Sequence, residues 1–384
     1  MTDENWEQIG HDIANNTHLT AVTTFEISSG DFNDQKISSL FRGLTRSSSI
    51  TELTLHNCGV SIAGIQCMMP FLQNANKLTG LYLRNNDLQS EGFNSLLRAL
   101  RNSPIKSLYV PRCGIESIEI DIEHTPRHLR ALNLSDNSIN ADGCRALVTL
   151  LQREDATLDH LNLEQNNIDD EGVQVLVEAL QSNTSLRGLY LESFKRNAKI
   201  SEQGKAMLLK LVSDVSSIES LLQSNHTLSR ITFERYEHTG YSTDNEDEDE
   251  QILEQYIDKA VALTGNEKVV QILLNSEKRA KLAELQGVSQ ESLYSEINPL
   301  HLPEVLALVG DYHGHGELYV ALRSSIAGVI STVNKRQFLK QQIAEYKTKL
   351  AAAEAELAAI EAAEVHDELG AGSEESRSNK RRRY

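Results

Sequence analysis

Residues 78–88 read LTGLYLRNNDL, and the spacing of their apolar side chains decides how the rest of the chain is to be read. Leu78, Leu81, Leu83 and Leu88 are expected to point inward, while Tyr82 and Arg84 alternate outward from a short strand. Asn86 falls where a buried side chain must satisfy backbone amides of the turn and of the next repeat. The same template, L-x-x-L-x-L-x-x-N/C-x-L, starts at Val22, Ile50, Leu78, Ile105, Leu129, Leu158 and Leu186, and more weakly at Leu228. Successive starts lie 28, 28, 27, 24, 29, 28 and 42 residues apart. Self-similarity at a nearly fixed period marks a repeat architecture. Asn137 and Asn166 match Asn86, Cys58 and Cys113 take the other permitted residue, and Gly30 fits neither.

Behind each strand comes a segment such as SEGFNSLLRAL, ADGCRALVTLL or DEGVQVLVEAL, with apolar residues at helical spacing. The alternation implies an α/β horseshoe solenoid with parallel strands inside and helices outside. One unit cannot bury its apolar face alone, so stacked neighbours must complete the core. The unit from Ile105 carries ESIEIDIEHTP in place of a helix, and Pro126 argues for an extended or short 3₁₀ crossing. The unit from Leu186 carries the insertion FKRNAKIS, and the stretch SDVSSIESLLQSN precedes the last strand. Both places are expected to break the outer helical layer. Trp6, Ile9 and Ile13 fall at helical spacing in residues 3–16, as in a helix that covers the first strand.

The period and the E-G-x-x-x-L-x-x-A-L helix resemble the ribonuclease-inhibitor type of leucine-rich repeat, over about residues 19–233. The resemblance implies a leucine-rich repeat solenoid and leaves function open, since that type includes inhibitors, GTPase activators and sensor arms of immune receptors.

The remaining organisation follows from composition. Residues 1–18 form the cap, and 19–233 the solenoid of about eight units. In 234–250 an acidic linker places six carboxylates between Asp244 and Glu250, without the ligand alternation or turn glycine of a calcium loop. Residues 251–332 read as a small all-α domain, with breaks at Gly265, Gly287, Pro299 and Gly310. In 333–365, Leu339, Ile343, Tyr346, Leu350, Ala353, Leu357 and Ile360 make a heptad seam for a C-terminal coiled coil. That seam pairs with another chain, giving a homo-oligomer, or packs back in cis. The tail 366–384 is expected to be disordered, and its basic end, Lys380, Arg381, Arg382 and Arg383, has the composition of a nuclear-localisation signal. This order of parts, with LNSEKRAKLAELQG and ELYVALRSSIAGVIS in the helical region, is similar to diatom-type repeat proteins.

Composition narrows the chemistry. A formal net charge of -18 argues against a nucleic-acid partner, and no apolar run is long enough to span a membrane. The acidic, polar start MTDENWEQIG does not read as a signal peptide, so a reduced cytoplasmic compartment is expected. The four cysteines read as small buried hydrophobes, not as a disulfide framework. Phosphate-binding, nucleophile-elbow and zinc-protease motifs are absent from the sequence. His124 and His128, and likewise His313 and His315, supply too few convergent ligands for zinc. Neither a catalytic residue, a metal nor a cofactor is expected.

The outward strand positions are where a solenoid can vary without harming its core. The first outward row reads Glu26, Thr54, Tyr82, Tyr109, Asn133, Asn162, Tyr190 and Thr232. The second reads Ser28, His56, Arg84, Pro111, Ser135, Glu164, Glu192 and Glu234. Tyr82 and Tyr109, ringed by His56, Arg84 and Pro111, have the hot-spot composition of a protein-binding patch. Tyr190, Glu164 and Glu192 extend it toward an acidic far end. The expected function is therefore a non-catalytic interaction module that binds a protein on its concave face. The alternative is a GTPase activator resembling the Ran activator, with Arg84 and Arg112 as its accessible arginines.

Overall fold

The computed structural model describes residues 2–24, 33–191, 200–232, 256–257, 260–261, 272 and 276–289. The chain divides into two compact units, Met1–Gly314 and His315–Tyr384, and the described residues belong to the first. The acidic linker, the heptad seam at 339–360 and the basic end at 380–383 lie outside the described residues, as do Glu26, Ser28, Gly30, Glu192 and Glu234.

Eight short strands carry the repeat. They are β1 (Ala21–Thr24), β2 (Glu52–Leu55), β3 (Gly80–Tyr82), β4 (Ser107–Tyr109), β5 (Ala131–Asn133), β6 (His160–Asn162), β7 (Gly188–Tyr190) and β8 (Arg230–Thr232). They form one parallel sheet in chain order, each strand beside its sequence neighbours. The connections hold α2 (Asp34–Leu44), α3 (Ile62–Asn74), α4 (Gln89–Ala99), α5 (Ala141–Leu151), α6 (Asp170–Leu180) and α7 (Glu202–Val212), with the short α8 (Ile218–Gln223) before β8. A parallel sheet alternating with helices in this order fits a leucine-rich repeat solenoid. Leu53, Leu81, Leu108, Leu161 and Leu189 are each fully buried at the same register across the sheet. Each such side chain contributes about 1.5–3 kcal/mol of burial, which short strands could not supply singly.

The first repeat corrects the sequence reading. Val22 pairs with Leu53 and Thr23 with Thr54, so the unit starts at Leu19, and Thr23 takes the register position that the sequence reading assigns to Glu26. Leu19-x-x-Val22 and Val22-x-x-Phe25 both satisfy the first two template positions, and only the Val22 start has an apolar third, Ile27 against Thr24. The main chain decides between them: Thr51 N donates to Thr20 O at 2.7 Å, just as Thr79 N donates to Thr51 O at 2.7 Å one repeat later.

The buried asparagines carry a second correction. Asn86 ties its own turn to the preceding repeat, not the next one. Its Oδ1 accepts from Cys58 N and Val60 N at 3.0 Å, while its Nδ2 donates to Leu55 O and Leu83 O at 2.8 Å. Asn137 does the same for Cys113 N and Ile115 N, and Asn166 for Ile139 N. A second set of buried asparagines shapes the approach to the later strands. Asn183 Nδ2 donates to Leu151 O at 2.7 Å, and Asn225 Nδ2 to Leu180 O at 2.7 Å. This burial removes both residues as glycan acceptors despite their Asn-x-Ser/Thr triplets.

Outside the sheet, the first-turn aspartate of one helix holds the N-cap serine of the next. Asp34 accepts from Ser61 N and Oγ, and Asp170 from Ser201 N and Oγ. Gly64 is required beside Asp34, because a Cβ there would lie 2.6 Å from Oδ1. Of the two expected breaks, the first falls after α4, where a single 3₁₀ turn, Ile122–His124, replaces the helix, and the insertion at 194–201 lies largely outside the described residues. The extended chain before it is fastened to α4 by Ser90 Oγ, which accepts from Glu116 N and Ser117 N, and by Asn94 Oδ1, which accepts from Glu119 N.

Helix α1 (Asp3–Asn15) forms as expected, but it packs on α2. The reason is a glycine contact between the two helices: a Cβ on Gly10 would meet Leu40 O at 2.2 Å, and one on Gly43 would meet Glu7 O at 2.4 Å. Among the residues beyond β8, α9 (Ser276–Leu285) is followed by Gln286, which grips the segment after α7. Its Oε1 accepts from Val215 N at 3.1 Å and its Nε2 donates to Ser213 O at 2.6 Å.

Asn86→Ala would strand several buried backbone groups, each costing about 1–3 kcal/mol unless water reaches it. Urea unfolding is expected to show a loss of about 3 kcal/mol, whereas the exposed Asn167→Ala should lie within about 0.5 kcal/mol of wild type.

Candidate functional site

The first outward row lies straight across the sheet. Thr54, Tyr82, Tyr109, Asn133, Asn162, Tyr190 and Thr232 pair in register from strand to strand. Parallel strands stand about 4.8 Å apart, so tyrosines at successive positions must meet. Tyr82 and Tyr109 do so, with ring centroids 5.0 Å apart and planes at 37°. Their pose depends on Gly80, two residues before Tyr82 on the same face. A Cβ at Gly80 would lie 2.9 Å from Tyr82 Cε2 and 3.1 Å from its hydroxyl, so the ring occupies the space that a side chain would fill. The Gly-Leu-Tyr triplet returns at 188–190, where Tyr190 covers Gly188 in the same way. Burial pushes the Tyr82 hydroxyl pKa up, helped by the nearby Glu52 carboxylate, so it remains a neutral donor at physiological pH.

His56, Tyr82, Arg84, Tyr109 and Pro111 line one open depression of about 440 Å³. Arg112, Asn133, Ser135 and Asp136 complete its wall. Tyr190 stands three strands from Tyr109 and does not line it. Glu164 also lies apart, just beyond β6, accepting at 2.9 Å from Asn162 Nδ2 at the end of that strand.

Arg112 and Asp136 enter the wall through a column that sequence spacing did not single out. The residue just before each Asn or Cys of the ladder takes a left-handed conformation: Asn57 (φ 51°), Asn85 (φ 57°), Arg112 (φ 54°), Asp136 (φ 58°) and Gln165 (φ 56°). Side chains there pair with the next repeat. Asn85 Nδ2 donates to Asn57 Oδ1 at 2.8 Å, and Arg112 Nε forms an ion pair with Asp136. The position before the Asn/Cys ladder was the available sequence signal. By contrast, the Arg84 guanidinium has no hydrogen bond or ion pair among the described residues. His56 lies beside it half-buried, and its Nδ1 is buried without a partner. Burial and the adjacent Arg84 charge lower the His56 pKa, so the ring is neutral at pH 7.

No group of three His, Cys, Asp or Glu side chains is placed to hold a metal among the described residues, and no described helix is long and apolar enough to cross a membrane. Cys58, Cys113 and Cys144 are buried, whereas Cys67 is only half-buried, contrary to the expectation for all four. Burial pushes the Cys113 and Cys144 thiols up to about 12.

The Leucine Rich repeat family matches residues 125–148 and 155–177, which hold β5, β6 and most of their helices. The chain is also similar to two curated proteins. It is 23% identical over 167 residues to the mouse NACHT, LRR and PYD domains-containing protein 4E, spanning 41% of this chain and 17% of that protein. It is 31% identical over 124 residues to the human NACHT, LRR and PYD domains-containing protein 13, spanning 29% of this chain and 11% of that protein. The chain thus spans less than a fifth of the length of these relatives. Among solved structures, leiomodin-1 actin-binding site 2 aligns with 75% of this chain and 98% of its own at 9% identity. Its TM-score of 0.18 is too low to carry a structural argument. Together with the parallel sheet, the family match and the two relatives support a leucine-rich repeat protein, a class whose members generally mediate contacts between proteins.

Two outcomes check this geometry. Gly80→Ala should displace the Tyr82 ring and shift the aromatic resonances of Tyr82 and Tyr109, with a stability change of about 1 kcal/mol or less. Iodoacetamide at pH 8 should modify Cys67 in the folded chain and all four cysteines in urea. Modification of Cys58 or Cys113 in the folded chain would show that the ladder column opens, and modification of Cys144 that α5 lifts from the core.

Proposed function

We propose that this chain is a non-catalytic interaction protein whose strand face, at the Tyr82–Tyr109 depression, holds a protein partner. The observation that carries the reading is the stacked tyrosine pair beside Arg84. Tyrosine and arginine supply large contact areas and directed hydrogen bonds, and they dominate binding energy where they cluster. These side chains occupy positions that the core does not use, so selection on binding could act on them separately from folding. The spacing of the repeats and the E-G-x-x-x-L-x-x-A-L helix support the ribonuclease-inhibitor type, and the C-terminal segments the diatom-type likeness. The heptad seam at 339–360 would join a second chain or pack in cis. None of the described geometry favours the GTPase-activator alternative.

Affinity capture from the source cell should recover a protein with the wild-type chain and lose it with Tyr82→Ala/Tyr109→Ala. The thermal midpoint of the double variant should fall by only a few degrees, because both side chains are half-exposed. Equal capture by both chains would place binding elsewhere.

A further inference from the structure

The charges around the depression are unequal, and the inequality specifies what fits. Arg112 is neutralised by Asp136 across the neighbouring turn. His56 is kept neutral, as described above. Arg84 therefore contributes an exposed cation that no described carboxylate pairs, at the edge of a stacked aromatic pair. Arginine forks are most strongly satisfied by a two-oxygen anion in their plane. From this arrangement, and resting on the reading that the depression binds a protein, we infer that its occupant is an extended peptide segment that presents one carboxylate to Arg84 and lays an apolar or aromatic side chain over Tyr82 and Tyr109.

The count of charges excludes wider choices. A phosphorylated side chain carries about -1.5 to -2 and is bound where several cationic donors converge, and here Arg112 is already engaged. A nucleic acid would require several phosphate contacts. A long acidic run would be drawn to Arg84 but repelled by a chain of formal net charge -18, whose field extends about 8–10 Å in physiological salt. One carboxylate among apolar residues gains the local pairing with the smallest long-range opposition. The volume, about 440 Å³, is that of a site for a few side chains and not of a groove for a whole helix. The neutral His56 adds no second cation, so the site is matched to a single negative charge.

The carboxylate comes from an Asp or Glu side chain or from a peptide C-terminus, and synthetic libraries separate the two. Full-length protein would be used to select from bead-bound random heptapeptides, in one set with amidated ends and in a second with free carboxyl ends. Selected peptides would then be measured by fluorescence anisotropy against wild type, Arg84→Gln, Arg84→Lys and Tyr82→Ala/Tyr109→Ala, with thermal melting to confirm folding. The expected result is enrichment of one carboxylate next to an apolar or aromatic residue. Affinity should fall at least ten-fold with Arg84→Gln and less with Arg84→Lys, and replacing the peptide carboxylate by its amide should cost wild type ten-fold but Arg84→Gln little. Enrichment only in the free-end set assigns the C-terminal carboxylate, and enrichment in both assigns the side chain. Peptides that lose affinity with the tyrosine variant but not with Arg84→Gln, or that bind a phosphoserine version more tightly, would overturn the carboxylate assignment and leave the protein-binding reading standing. Peptides indifferent to both substitutions, or no enrichment at all, would overturn the carboxylate assignment, and indifference of cell-derived capture to the tyrosine substitution would separately remove the protein-binding reading.

Discussion

The buried carboxamide of Asn86, repeated at Asn137 and Asn166, is the interaction on which the rest of the structure depends. At the ends of β2 to β6 the chain turns while still inside the solenoid, leaving amide and carbonyl groups away from water. Leaving them unpaired would offset much of what a short strand gains by burying its leucines. A carboxamide meets both needs, since it accepts through one atom and donates through the other. Because most of the Asn86 partners belong to the preceding repeat, the same side chain sets the stacking order. Cys113 fills the corresponding position less completely, donating its thiol to Leu83 O at 3.1 Å while Asn137 serves its main-chain amide.

With the inner turn settled by this ladder, the outer layer can vary. Six of the seven connections between successive strands hold a full helix, α2 to α7, yet the fourth repeat closes with one 3₁₀ turn. That repeat keeps its strand register, with Leu108 opposite Leu81 and Leu132. The missing helix is replaced by side-chain acceptors on α4, Ser90 and Asn94, which cap the free amides of the extended chain. At the start, the solenoid is closed by helix against helix at Gly10 and Gly43, where the absence of side chains lets the two backbones touch.

The face away from the helices inherits its order from the same constraint. Once the register is fixed, each outward side chain has a known neighbour at the strand spacing, and adjacent tyrosines must stack or clash. Gly80 resolves this by letting Tyr82 lie back along its own strand. Arg84, one position further out, has no described counter-ion, while Arg112 has one. Two stacked rings and a cation without a described counter-ion thus stand together on this face, and no described group beside them has the arrangement of a nucleophile with its base.

By itself, the sequence determined the repeat, the parallel strand and helix alternation, the break after Ile105 and the neighbourhood of Tyr82 and Tyr109, because all four follow from residue spacing along a period of about 28. It misplaced the register of the first strand, where the apolar pattern favours a start at Val22, with Phe25 and Ile27 following, and the main-chain bond from Thr51 to Thr20 places the start at Leu19. Nor could it tell that Asn86 reaches back and not forward, that α1 rests on α2, or that Asp136 neutralises Arg112 while Arg84 has no counter-ion among the described residues. Each of these depends on which atoms meet across repeats, a matter of a few ångströms between residues some 24 to 35 apart in the chain. Periodicity specifies which face a residue occupies, and only tertiary packing decides what it touches there.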